Sequence, residues 1–264
     1  MARKRRLAVC AALIWFTSSL QAAGVYQWRD ENGRVHFGDA PQSHSDATDL
    51  SQQYDFRLPF EIVFDGVDYR VPPPVRDKLT SSVSKIFTIY KQALGLQYPQ
   101  KNEFRIRIYG SEQAYRDYQL KGAPVLENAA GFYNSQTNQI TAWGMDEQAL
   151  QRLVTHECSH AISASGSRQI PVWLNEGLAV YFENMQVSGL SATVPLSNYW
   201  LDLLRRQGYS RSAPDLRHTL DSAHQQWYAA NGSSNRSYSI SWSLVWFLMD
   251  SEQGRERLRT LFHQ

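Results

Sequence analysis

His156-Glu157-Cys158-Ser159-His160 gathers two imidazoles and a carboxylate within five residues. On an α-helix, residues four apart share a face, so both imidazoles can reach one metal ion. Glu157 follows the first of them, where its carboxylate can approach water polarised by that ion from the side. The chemistry this spacing predicts is hydrolysis, with the ion as Lewis acid and Glu157 as general base. Leu150, Leu153 and Val154 give the helix an apolar face to bury, and Asp146 supplies a cap. Cys158 is expected to point away from the metal face and pack as a small apolar residue.

A catalytic zinc takes three protein ligands and keeps one open position, so a third ligand is required. Gln169 to Glu183 reads as a second helix opened by Pro171, and it carries Glu176 16 positions after His160. Ser163–Ser167, with Gly166 among them, lets the chain reverse so that Glu176 faces the two imidazoles. Glu183, two turns further on, is the rival ligand. Gly177 and Ala179 leave room for another helix to approach closely.

The His-Glu-x-x-His followed by Trp173-Leu174-Asn175-Glu176-Gly177-Leu178-Ala179 resembles the gluzincin metallopeptidases, and more closely the bacterial peptidase MA-like families. The likeness spans roughly residues 60–264 in element order and is specific in the two helical motifs. It implies a zincin-like α+β domain: a small mixed sheet with an edge strand, an active-site helix, a glutamate helix and a helical C-terminal part. It further implies one zinc per chain on His156, His160 and Glu176, with Glu157 as general base. A peptide or protein substrate would lie along the edge strand, a place that residues 131–143 fit. Gluzincin-like enzymes often set a Tyr or His downstream of the glutamate helix to stabilise the oxyanion, and Tyr238 stands there; aromatic packing is its other reading. His218 and His224 lie in the same region with nothing to select them. Val180 stands one turn past Glu176, where some relatives carry a carboxylate that orients a zinc-bound histidine, so that partner is unassigned.

The elements that must position these groups follow from pattern. Residues 59–71 are strand-like and end at Pro72-Pro73-Pro74. Leu79, Val83, Ile86, Phe87, Tyr90 and Leu94 then recur at helical spacing up to Gly95. Phe104, Ile106 and Ile108 alternate with Arg105 and Arg107 as a half-buried strand, and Ser111 starts a helix carrying Tyr115 and Tyr118. A hairpin is expected over 131–143, with its turn at Ser135–Asn138. From Asp146 onward the pattern is helical to the end, broken near Ser163–Ser167, Ser188–Thr193 and Ala230–Asn235. Strands first and helices later predict an α+β domain over residues 59–264.

Upstream, residues 23–42 read as a small β-hairpin module. Tyr26 and Trp28 alternate in one limb, Val35 and Phe37 in the other, with Asn32-Gly33 between them. Its Tyr-x-Trp-x-Asp…Gly…Phe-x-Asp-x-Pro pattern resembles a short module of unknown function at the start of bacterial envelope proteins. Two strands alone are marginal in water, so the hairpin must lean on another part of the chain. Residues 43–58 are polar and read as a linker. Residues 1–22 have the layout of a secretory signal: the positive run Arg3 to Arg6, the apolar Leu7–Phe16, then small residues. A periplasmic location follows, with the membrane involved only if the signal is retained as an anchor.

Composition narrows the remaining classes. Hydrophobic residues make up 42% of the 264 and charged residues 20%, an ordinary globular balance. The formal charge of +2 includes four positive and no negative residues within 1–22, so the mature chain is near −2 (2 − 4) and offers no nucleic-acid surface. Of two cysteines, Cys10 leaves with the signal, so the mature chain forms no internal disulfide. The expected function is zinc-dependent peptide hydrolysis. The alternative is an envelope binding or scaffold protein that keeps a silent zinc site.

Overall fold

Alternation of buried and exposed side chains sets the first sheet. In a computed structural model, which describes residues 26–38, 48–49, 60–97, 102–122, 129–166, 170–188, 191–206, 213–224, 226–227 and 235–262, Phe104, Ile106 and Ile108 are buried while Glu103 and Arg105 are exposed. They lie on β5 (Asn102–Tyr109), which pairs in parallel with β4 (Phe60–Val67) on one side and β7 (Gln139–Trp143) on the other. The edge strand β6 (Phe132–Asn134) runs antiparallel to β7, giving the order β4-β5-β7-β6. This is the hairpin expected over 131–143.

The parallel pairing of β4 and β5 requires a crossover, which α1 (Pro73–Ala93) provides. Prolines sit at its start, where their missing N–H costs nothing. Its stripe of Leu79, Val83, Ile86, Phe87 and Tyr90 is buried, and Gly95 ends it at φ 71, a left-handed conformation that favours glycine. The shorter α2 (Glu112–Gly122) starts beside Ser111, whose Oγ accepts the Ala114 N–H.

Two helices follow that carry His156, His160 and Glu176. In α3 (Glu147–Gly166), Leu150, Val154, Cys158, Ala161 and Ile162 are buried in the main core beneath the sheet. Asp146 caps it by accepting the Ala149 N–H at 2.9 Å. The next helix, α4 (Val172–Glu183), is apolar on nearly every side, the mark of a helix packed all round. One neighbour is α3; another is α7 (Arg236–Met249), where Gly177 lies so close that an added Cβ would meet the Ser241 carbonyl oxygen at 2.7 Å. The close helix approach expected at Gly177 is thus made by α7.

The expectation of helix alone from Asp146 onward is corrected. The break at Ser188–Thr193 falls within a second hairpin, β8 (Gln186–Ser188) and β9 (Ser191–Val194). Its strands are three and four residues long and rich in Ser and Thr, too short for the alternation to stand out. The N-terminal hairpin, β1 (Tyr26–Arg29) and β2 (Val35–Gly38), pairs with it through β2 and β9. With β3 (Thr48–Asp49) the five strands form an antiparallel sheet in the order β3-β1-β2-β9-β8. Trp28 and Val35 are buried, and Gln27 donates to the Met249 carbonyl at the end of α7. The rest of the fold is helical: α5 (Asn198–Arg206), α6 (Ala213–Asp221), α7 and α8 (Glu252–Phe262).

The fold is therefore α+β. The segment read as a signal lies outside the described residues, as does most of the linker at 43–58 and of the break at 230–235. No helix among the described residues is long and apolar enough to cross a membrane.

Candidate metal centre

Helical spacing puts His156 and His160 on one face of α3, and their rings meet edge to face with centroids 4.9 Å apart. Glu176 reaches them from α4. Its Oε2 lies 3.6 Å from Nε2 of His156 and 3.6 Å from Nε2 of His160. The three ligand atoms all lie within 4.8 Å of one another. Donors on a tetrahedral zinc with bonds of about 2.0–2.1 Å stand about 3.4 Å apart, so the spacing of Glu176 to each imidazole fits such an ion.

Burial makes the same case on energetic grounds. The Glu176 side chain is only 3% exposed, and Glu157 is also buried. Carboxylates withdrawn from water are costly unless positive charge meets them. A divalent cation held by Glu176 and the two neutral imidazoles would supply that charge. Burial works against a protonated His156, but the hydrogen bonds its ring donates to Glu176 and Glu183 outweigh it and raise its pKa well above the usual imidazole value. This group of residues can therefore hold a metal ion.

Glu183 has a different place from the one expected of a rival ligand. It lies 3.5 Å from Nδ1 of His156, on the side of the ring away from Glu176. Its other oxygen accepts from Trp200 Nε1 at 3.3 Å and from Asn184 Nδ2 at 3.2 Å. A carboxylate so held fixes which way the imidazole faces. The partner missing at Val180 is thus supplied seven residues after Glu176, two turns along the same face of α4. The helical period could have flagged this position, but not which nitrogen it meets. By contrast, Nδ1 of His160 is buried with no hydrogen-bond partner among the described residues.

Tyr238 opens α7 among aromatic rings, stacked on Trp200 and edge-on to Trp227 at 4.5 Å. Burial first, and then the charges of Glu176, Glu157 and Glu183, raise the pKa of its phenol. Of its two readings, aromatic packing is the one these ring contacts show. Cys158 is buried on the opposite side of α3, where burial first and the Glu157 charge second keep its thiol protonated. His218 and His224 are exposed and are not among the converging residues.

Comparison with known families adds two matches. A family model described as a domain of unknown function (DUF4124) matches residues 12–55, which include the β1–β2 hairpin. One described as a protein of unknown function (DUF1570) matches residues 152–263, from within α3 through α8, and so takes in His156, Glu157, His160, Glu176, Glu183 and Tyr238. Neither model spans half of the chain. No curated protein matches it.

Proposed function

We propose that this chain is an exported zinc metallopeptidase of the gluzincin kind, hydrolysing peptide bonds in the periplasm. The observation that carries the reading is the convergence of His156, His160 and Glu176 next to the buried Glu157. A zinc ion on those three donors would supply Lewis acidity, bringing the pKa of water down to about 7. Glu157, one residue after His156, takes the proton of the attacking water and delivers it to the departing amine. Tyr238 keeps its proton because burial and the neighbouring carboxylates disfavour the phenolate, so its hydroxyl can donate to the carbonyl oxygen as charge develops there. Glu183 keeps the His156 ring turned towards Glu176. The outer edge of β6 offers a peptide backbone a strand to pair with, which binds many sequences alike. Export is supported by the charged, apolar and small-residue layout of residues 1–22.

The test is digestion of a peptide library by the mature protein, with and without a chelator. Cleavage should stop on chelation, return with added zinc, and be absent in Glu157→Gln, a variant that keeps its metal. Cleavage indifferent to chelation, or none by the zinc-loaded protein, would contradict the proposal.

A further inference from the structure

A cavity lies beside the metal centre and shares Glu183 with it. It has a volume of about 270 Å³, just under the roughly 300–1,000 Å³ typical of small-molecule sites. One side chain or terminal residue of a peptide fits; a whole peptide does not. Its walls come from the start of α3, the end of α4 and the turn from β9 into α5.

Two features of the lining favour an anion. Arg152 lines it, half-buried, with no carboxylate or hydrogen-bond partner among the described residues. Ser197 and Asn198, also in the lining, form the N-terminal end of α5, where unpaired N–H groups favour negative charge. The single carboxylate in the lining is Glu183, and it is already engaged by Trp200 Nε1, Asn184 Nδ2 and the His156 ring. The guanidinium of Arg152 thus has no ion-pair partner among the described residues, and it lines the cavity with the amide side chains of Gln148 and Asn198, which bond to no described residue.

We propose that this cavity is a subsite for a carboxylate of the substrate, either an acidic side chain or the peptide's C-terminus, held by the fork of Arg152. The inference rests on the peptidase reading for the word substrate, and on the cavity alone for carboxylate binding. Arg152 precedes His156 by four residues, about 6 Å along the helix axis, so the acid would sit within about two extended residues of the bond to be cut. Arg152 is a specificity-determining residue, and its loss should change which peptides bind rather than the reaction.

The test is calorimetric titration of full-length, zinc-loaded Glu157→Gln protein with three capped peptides. One carries a glutamate side chain and an amidated end, one an alanine with a free C-terminus, and one a glutamine with an amidated end. One acidic peptide should bind at least tenfold tighter than the neutral one, and which of the two does so identifies the source of the carboxylate. Arg152→Gln should abolish that preference without weakening the neutral peptide. Arg152→Glu should transfer the preference to a lysine peptide, a gain that misfolding cannot produce. Equal binding of acidic and neutral peptides, or a preference that survives Arg152→Gln because the acid sits on the metal, would overturn the subsite. Acid preference without cleavage by the wild-type protein would keep the subsite and sink the peptidase reading.

Discussion

His156 is gripped from both sides, by Glu176 near Nε2 and by Glu183 near Nδ1, and this fixes the ring before any ion arrives. Carboxylates that orient a ligating histidine typically change metal affinity by 10–100-fold when lost. Glu183→Gln keeps the acceptor for Trp200 Nε1 but removes the charge facing Nδ1. It should weaken zinc binding by about that factor in a chelator competition, with little change in melting temperature. An affinity equal to wild type would remove Glu183 from the site. At this scale most of the centre is legible in the chain. His156 and His160 declare themselves by helical spacing, and Glu176 by the motif on the helix that follows. Glu183 declares itself only as a rival ligand, because spacing along α4 gives the face it shares with Glu176 and not the nitrogen it meets across the gap.

Behind the centre, α3 is bolted to α1 through a small polar knot in an apolar core. The Tyr90 hydroxyl lies 2.6 Å from Ser159 Oγ and accepts from Ser163 Oγ at 3.0 Å, all three being buried. Burial raises the Tyr90 pKa to about 12, so the knot stays neutral throughout the physiological range. Tyr90→Phe strands two serine hydroxyls away from water, at a cost of about 1–3 kcal/mol. The melting temperature should fall by roughly 2–10 °C, and the zinc stoichiometry should hold. An unchanged melting temperature would mean that the knot contributes nothing to stability. Among the elements, α1, α3, α4, β5 and the β6–β7 hairpin follow from periodicity and caps. The β8–β9 hairpin does not, because strands this short acquire their identity from the partner they pair with, here the distant β2.

Across the whole molecule the N-terminal hairpin is joined to the C-terminal helices over more than 200 residues of sequence. Gln27 bonds to Met249, Arg255 bonds to Gln27, and Arg29 pairs with Asp250 while lying over the Trp246 ring. The sequence says that the hairpin must lean on another part of the chain, but not on which part. Its turn is held by Asp30, which bonds to the His36 ring and accepts the N–H groups of Asn32 and Arg34. The His36 hydrogen bond first, and the Arg34 N–H second, lower the Asp30 pKa from 3.8 to about 2. A carboxyl with a depressed folded pKa stabilises above its unfolded value and loses that contribution as pH falls through the folded one. Acid should therefore loosen this turn between about pH 4 and pH 2, read as faster amide exchange at Asn32 and Arg34. Asp30→Asn should remove that pH dependence; a turn equally protected at pH 2 and pH 5 would contradict it.

The central claim is that His156, His160 and Glu176 hold a metal ion, and the most direct measurement is the metal content of the mature protein. The protein would be purified without added zinc, beside a His160→Ala control. The account predicts about one tightly held zinc per chain, absent in the control. A folded wild-type protein that carries no metal and takes up none when zinc is added would contradict it.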